Sequence, residues 1–175
     1  MEHPLHQFRY CPKCGSQRFV EHNAKSKECL DCGFVYYFNP SAATVAFILN
    51  ERNELLVTRR AKEPACGTLD LPGGFCDMFE TGEEGVCREV KEETGLEVTS
   101  TRFLFSLPNT YLYSGFLVHT VDMFFLCQVS DSDICHAMDD AAELFWIPLQ
   151  DLRPDDFGLD SIRLGITKFL ANFLI

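Results

Sequence analysis

The sequence predicts an α+β fold, a mixed-sheet sandwich carrying two helices, with a small four-cysteine ribbon in front of it. Three observations predict it. Strand-like apolar runs outnumber helical ones and do not alternate with them as a βαβ repeat would require. One helix is bounded by clear start and stop signals. Four of the nine cysteines form two matched pairs near the start of the chain.

The pairs are Cys11-Pro-Lys-Cys14-Gly15 and Cys29-Leu-Asp-Cys32-Gly33, two Cys-x-x-Cys-Gly knuckles separated by fourteen residues. That is the spacing of a four-thiolate zinc ribbon. Each glycine follows its second thiolate, where a tight turn lets backbone amides approach sulfur. A closed tetrathiolate leaves no position for water, so this zinc is structural in type and replaces a core that so short a segment lacks. Lys and Arg are sparse here, which argues against a nucleic-acid-binding ribbon. Tyr36, Tyr37 and Phe38 end its last strand and Asn39-Pro40 reads as a linker, giving a ribbon over residues 1–38 and a second domain over 39–175.

In the second domain, Thr44 to Leu49 and Leu55 to Thr58 read as strands around the turn Asn50 to Asn53. Leu69 to Leu71 precedes the Pro72-Gly73-Gly74 break. A helix is expected from about Thr81 to Thr94, with acidic residues in its first turn and Gly95 at its stop. Strands return at Arg102 to Leu107, Phe116 to Val129 and Leu144 to Ile147, and a helix from about Ser161 to Leu174 closes the chain. Phe75, Phe79 and the Phe103 to Phe105 region are expected to pack, and His119 to be a satisfied core histidine.

At 175 residues, 46% of them hydrophobic, the chain is long enough for one good core and a small appendage. No apolar run is long enough to span a bilayer, and Met1 to Tyr10 lacks the apolar core of an export signal, so a cytoplasmic protein is expected, with reduced cysteines. A net charge of −11 disfavours general nucleic-acid binding and means that a phosphate ligand needs help from a cation.

Glu89, Glu92 and Glu93 stand at i, i+3 and i+4, so their carboxylates share one helix face. Like charges at this spacing oppose each other by roughly 0.2–0.5 kcal/mol per pair, and near a helix C-terminus the macrodipole disfavours them further. A hard divalent cation, magnesium or manganese, relieves both costs; a solvated acidic face is the plain alternative. The surroundings decide between the two. Gly74, Glu80 and the run Arg88-Glu89-Val90-Lys91-Glu92-Glu93-Thr94-Gly95-Leu96 match the pattern G-x5-E-x7-R-E-U-x-E-E-x-G-U, with U aliphatic, at every specified position.

On this box the sequence resembles the Nudix hydrolases. The resemblance implies their α-β-α sandwich and attack of water on a phosphorus within a nucleoside diphosphate linked to another group. It assigns Glu89, Glu92 and Glu93, with the Gly73 carbonyl, as Mg2+ or Mn2+ ligands. Arg88 and Glu80 would pair to orient the cluster, and Gly73 and Gly74 would let backbone approach metal and phosphate. Glu92 or Glu93 could act as general base. Outside the box, Asp140, in preference to Glu143, is the candidate acid that completes the site, on a loop before Trp146-Ile-Pro148-Leu149.

A tetracysteine ribbon joined to such a domain looks like the NADH pyrophosphatase branch, whose S-Q-P-W-P-F-P-x-S array follows the box. This chain has Ser106-Leu-Pro108-Asn-Thr-Tyr111-Leu-Tyr113-Ser114, which keeps both serines, the first proline and an aromatic, and it is expected to do without that branch's long N-terminal domain. Tyr111 and Tyr113 are candidates to stack on a base or nicotinamide. The expected substrate is NADH, NAD or ADP-ribose, with a nucleoside triphosphate or a non-catalytic nucleotide sensor as alternatives. A homodimer is expected from the same resemblance.

Overall fold

The computed structural model describes residues 2–130 and 141–173, and the chain divides into two compact units, Met1–Pro40 and Ser41–Ile175. The first is an antiparallel meander of β1 (Phe19–Asn23), β2 (Ser26–Cys29) and β3 (Val35–Tyr37), in register at Phe19 with Cys29 and Ser26 with Tyr37. Both knuckles turn as their glycines predict. Gly15 and Gly33 adopt φ of 75° and 69°, and their N–H groups donate to the carbonyls of Cys11 and Cys29 at 2.8 and 2.9 Å. The apolar core of this unit is little more than Cys11, Phe19 and Cys29 with Phe34 and Cys32 against them.

The second unit carries β4 (Ser41–Ile48), β5 (Glu54–Arg60), β6 (Leu69–Asp70), α1 (Gly82–Thr94), β7 (Val98–Tyr113), β8 (Phe116–Val129), β9 (Ala141–Pro148) and α2 (Asp160–Phe173). They build two sheets, β4-β8-β7 and β6-β5-β9. The β4–β8 pair is parallel and the others antiparallel, so the first sheet is mixed as expected. Pro108, which has no N–H to donate, sits on β7 at the edge of its sheet, where the loss is tolerated.

The apolar run of β4 needs burial on both faces, and it has it. Val45 and Phe47 join Leu55, Val57 and Phe124 in a core closed by Ile162, Ile166 and Phe169 of α2, where Phe47 stacks on Phe169 at 4.0 Å between ring centres. Ala46 and Ile48 join Leu56, Phe125 and Cys127 in a second core under Val86 and Val90 of α1. Helices therefore cover both faces of the strands, the α-β-α order. A Cβ at Gly165 would come within 2.4 Å of Phe124, so α2 lies this close only because that residue is glycine.

Two packing expectations fail and a third holds in part. Phe79 is wholly exposed and Phe75 about half exposed (47%), because they lie on a surface loop; Leu104 and Phe105 pack against the first core, while Phe103, about half exposed (51%) on an edge strand, sets its ring edge-on to Phe125. Nor is β7 the short strand expected: it runs from Val98 to Tyr113, straight through the Ser106 to Tyr113 segment, and pairs with β8 as far as Tyr113 opposite Phe116. Cross-strand pairing with an unusually long partner overrides local turn signals there. His119 is partly buried, on β8.

The placement of α1 rests on its caps. Thr81 accepts a hydrogen bond from the N–H of Glu84 while the Glu84 carboxylate accepts from the N–H of Thr81, and Gly95 ends the helix at φ 75°. Thr81→Ala is expected to lower stability by about 1 kcal/mol, read as a lower urea midpoint at unchanged slope.

Candidate active site and cysteine cluster

Helix α1 is the platform. From it Arg88 fans into the surrounding acids: its Nε and Nη2 donate to Glu80 at 2.9 and 3.0 Å, and Nη1 to Glu89 at 2.8 Å and Glu92 at 3.0 Å. Nη2 also reaches the carbonyl of Phe75 at 2.9 Å. Glu80 additionally accepts the N–H of Asp77 at 2.8 Å, which ties the loop after Gly74 to the helix. The Arg88 hydrogen bonds, helped by that N–H, hold the Glu80 carboxyl below its ordinary range, and Arg88 is held firmly protonated.

The three glutamates share the face that their spacing predicts, yet they are not drawn into a cage. Glu89 and Glu92 lean on Arg88, while Glu93 accepts the N–H of Gly73 at 3.1 Å. The largely buried Glu89 has its carboxyl pushed up, by burial first and by Glu92 and Glu80 in part, against the pull of Arg88. An anion that burial destabilises in this way gains from a cation beside it, so the donor set fits a hard divalent ion.

Gly73 is sterically required by backbone, and a side chain at Gly74 would displace the Glu89 carboxylate. Gly73, at φ 152°, would place a Cβ 2.1 Å from the carbonyl oxygen of Thr44, and a Cβ on Gly74 would lie 2.6 Å from the Glu89 carboxyl carbon. The N–H of Thr44 donates to the Gly74 carbonyl at 2.8 Å, so the loop lies pressed against β4.

Beside this face opens a cavity of about 410 Å³, bordered by Glu93, Gly73, Gly74, Phe75, Tyr111 and Tyr113. It thus brings the box and both tyrosines to one space. Burial pushes the Tyr111 hydroxyl up, and Asp122 adds to it. Glu143 is turned to another task, an ion pair with Arg59 at 2.9 Å; Asp140 lies outside the described residues. Sequence reasoning missed Thr44, Arg60, Asp70 and Asp122, which also line the cavity. A signal for two of them was present: Asp70 and Asp122 are single acids inside apolar strand runs, where a charge is rarely buried without a purpose.

In the ribbon the sulfurs of Cys11, Cys14, Cys29 and Cys32 all lie within 4.8 Å of one another, the arrangement that their spacing predicts. Among the described residues this is the group that stands ready as a metal cage. Burial opposes ionisation of Cys29, but the N–H groups of Cys32 and Asp31 together with the Cys14 and Cys32 thiols outweigh it and bring the thiol down to about 6.

An α-β-α sandwich with a carboxylate helix set against a Gly-Gly loop defines the class, and comparison with known proteins gives the same answer. Residues 39–167 match the NUDIX domain family. The chain belongs to the Nudix family. It is 30% identical over 120 residues to a NAD-capped RNA hydrolase NudC of Vibrio atlanticus, a match covering 69% of this chain and 44% of that protein. It is 36% identical over 128 residues to an ADP-ribose pyrophosphatase of Methanocaldococcus jannaschii, covering 72% of each. A crystal structure of a Nudix hydrolase from Nitrosomonas europaea superimposes with a TM-score of 0.75 at 21% identity, over 95% of this chain and 92% of that one, a likeness of fold. The matches to the NudC relatives span about half the length of those proteins.

The Arg88–Glu80 pair carries a pH signature. Because the Glu80 carboxyl lies below its ordinary value of 4.5 in the folded chain, its stabilising effect is complete above that value and disappears as pH falls through the lowered one. Thermal unfolding of Arg88→Met is expected at lower temperature than wild type near neutral pH, with the gap narrowing as the medium is acidified; a gap independent of pH would contradict the pairing.

Proposed function

We propose that this protein hydrolyses a pyrophosphate bond in a nucleoside diphosphate linked to a second group, with NADH, NAD or ADP-ribose as the substrate class and Mg2+ or Mn2+ as the catalytic ion. The observation that carries it is the shared cavity: Glu93, Gly73 and Gly74 border the same space as Tyr111 and Tyr113. Pyrophosphate and aromatic base therefore have adjoining places. The relatives named for NAD-capped RNA and for ADP-ribose agree with this class. A net charge of −11 gives no footprint for an RNA chain, so the reading stays with the dinucleotide.

In this reading Glu89, Glu92 and Glu93, with the Gly73 carbonyl, hold the cation. Bound there, it offsets the substrate's negative charge and makes water a better nucleophile. Arg88 and Glu80 fix the helix face so that the carboxylates meet it in one geometry. Gly73 and Gly74 let the phosphates approach backbone, and Tyr111 and Tyr113 stack on the ring. Water adds to one phosphorus, the bridging P–O bond breaks, and the proton passes to a carboxylate of the set, Glu92 or Glu93; two phosphate monoesters leave. Asp140 is assigned as a further acid of the site.

The four thiolates fit zinc, which would hold the first unit together in place of a core. Reduced thiols of this kind suit the cytoplasm, and no helix among the described residues is long and apolar enough to cross a membrane. The family resemblance, and no surface among the described residues, is what supports a homodimer.

Product analysis with NADH, ADP-ribose and a triphosphate panel under Mg2+ tests the reading. Cleavage of NADH or ADP-ribose to two monophosphates is expected, with a loss of about a hundredfold or more in kcat for Glu93→Gln. Activity confined to triphosphates would refute the substrate class, and an unchanged rate in Glu93→Gln the role of the helix. For the ribbon, Cys29→Ser is expected to lose zinc by metal analysis and to unfold at lower temperature.

A further inference from the structure

The cavity also holds two carboxylates that the pyrophosphate chemistry does not use. Asp70, on β6, is 8% exposed and Asp122, on β8, is 5% exposed. One oxygen of Asp70 accepts the N–H of Leu71 at 2.8 Å and the other pairs with Arg60. The two oxygens of Asp122 accept from the hydroxyls of Thr120 and Ser161, each at 2.5 Å. A carboxylate offers about four acceptor positions, so these contacts leave room for further donors on both acids.

A third residue points the same way. Thr44 lines the cavity, is 1% exposed, and its hydroxyl has no hydrogen-bond partner among the described residues. Buried polar groups of native proteins are nearly always satisfied, and a persistent exception needs an explanation. Electrostatics add to the imbalance: burial pushes the Asp70 carboxyl up and nearby Asp122 pushes it further, against the pull of Arg60. A ligand carrying N–H donors relieves these costs. One that presents a carbonyl or carboxylate at the same place adds repulsion between lone pairs.

We propose that Asp70 and Asp122 are the specificity determinants of this cavity, accepting hydrogen bonds from the N–H groups of an amine- or amide-bearing heteroaromatic ring on the substrate. The inference rests on the cavity being the nucleotide site proposed above. Two substrate parts share this chemistry, the exocyclic amine of adenine and the carboxamide of nicotinamide. Tyr111 and Tyr113, on the same cavity wall, supply the faces against which either ring would lie.

Equilibrium binding of two pairs of monophosphates tests it without bond cleavage. AMP against IMP replaces the adenine amine by a carbonyl; nicotinamide mononucleotide against nicotinic acid mononucleotide replaces the amide by a carboxylate. Wild-type protein is expected to prefer the member with the exocyclic amine or the carboxamide in at least one pair by about tenfold or more, and the preferred pair identifies the ring. Asp122→Asn is expected to reduce that preference to about threefold or less. Asp70→Asn reads the same pair should the first variant fail to fold, as judged by its melting curve. Equal binding within both pairs, no binding of either, or a preference unchanged in a folded variant overturns the proposal. Hydrolysis of NADH or ADP-ribose by the wild type is a separate readout, so the proposed reaction and the proposed ring contact can fail independently.

Discussion

The guanidinium of Arg88 is the contact on which the rest of the candidate site depends. Three glutamates at i, i+3 and i+4 repel one another, and a helix bearing them needs a positive charge close by. Arg88 supplies it from the adjacent position, and its planar fork does more than neutralise. It reaches Glu89 and Glu92 on the helix, Glu80 on the preceding loop and the Phe75 carbonyl behind Gly74. One side chain thus fixes both carboxylate rotamers and the path of the loop. A lysine, a single point charge, has no such geometry.

The glycines make this arrangement possible at close range. The loop passes so near β4 that a side chain at Gly73 would strike the Thr44 carbonyl, and so near α1 that one at Gly74 would strike Glu89. In the gap, the Gly73 N–H meets the Glu93 carboxylate. Backbone and acid thus come together on the edge of the cavity. The long β7–β8 pair carries Tyr111, Tyr113 and Asp122 to the same space.

The glutamate face, the capped helix and the paired knuckles were legible in the sequence because each depends on residues close together in the chain. Helical periodicity places Glu89, Glu92 and Glu93 on one side whatever lies around them. The knuckles bring cysteines into pairs by local turns, and one short meander then unites the pairs. The length of β7 was not legible, since its end is set by pairing with β8 and not by Pro108 or its neighbours. The exposure of Phe75 and Phe79 was missed for a similar reason: residue type records a tendency to be buried, and only the fold decides whether a loop residue has anything to pack against.

By itself, then, the sequence determined the chemistry carried by local patterns: four thiols spaced for zinc, and a helix of carboxylates after a Gly-Gly turn that marks a Nudix protein. The tertiary structure alone decided what shares a cavity with Glu93 of that helix. Asp70, Asp122, Thr44 and the two tyrosines come from separate strands, and no spacing along the chain relates them to one another. Their meeting in one cavity follows from strand order and register, which long-range hydrogen bonding and the packing of two cores against α1 and α2 select.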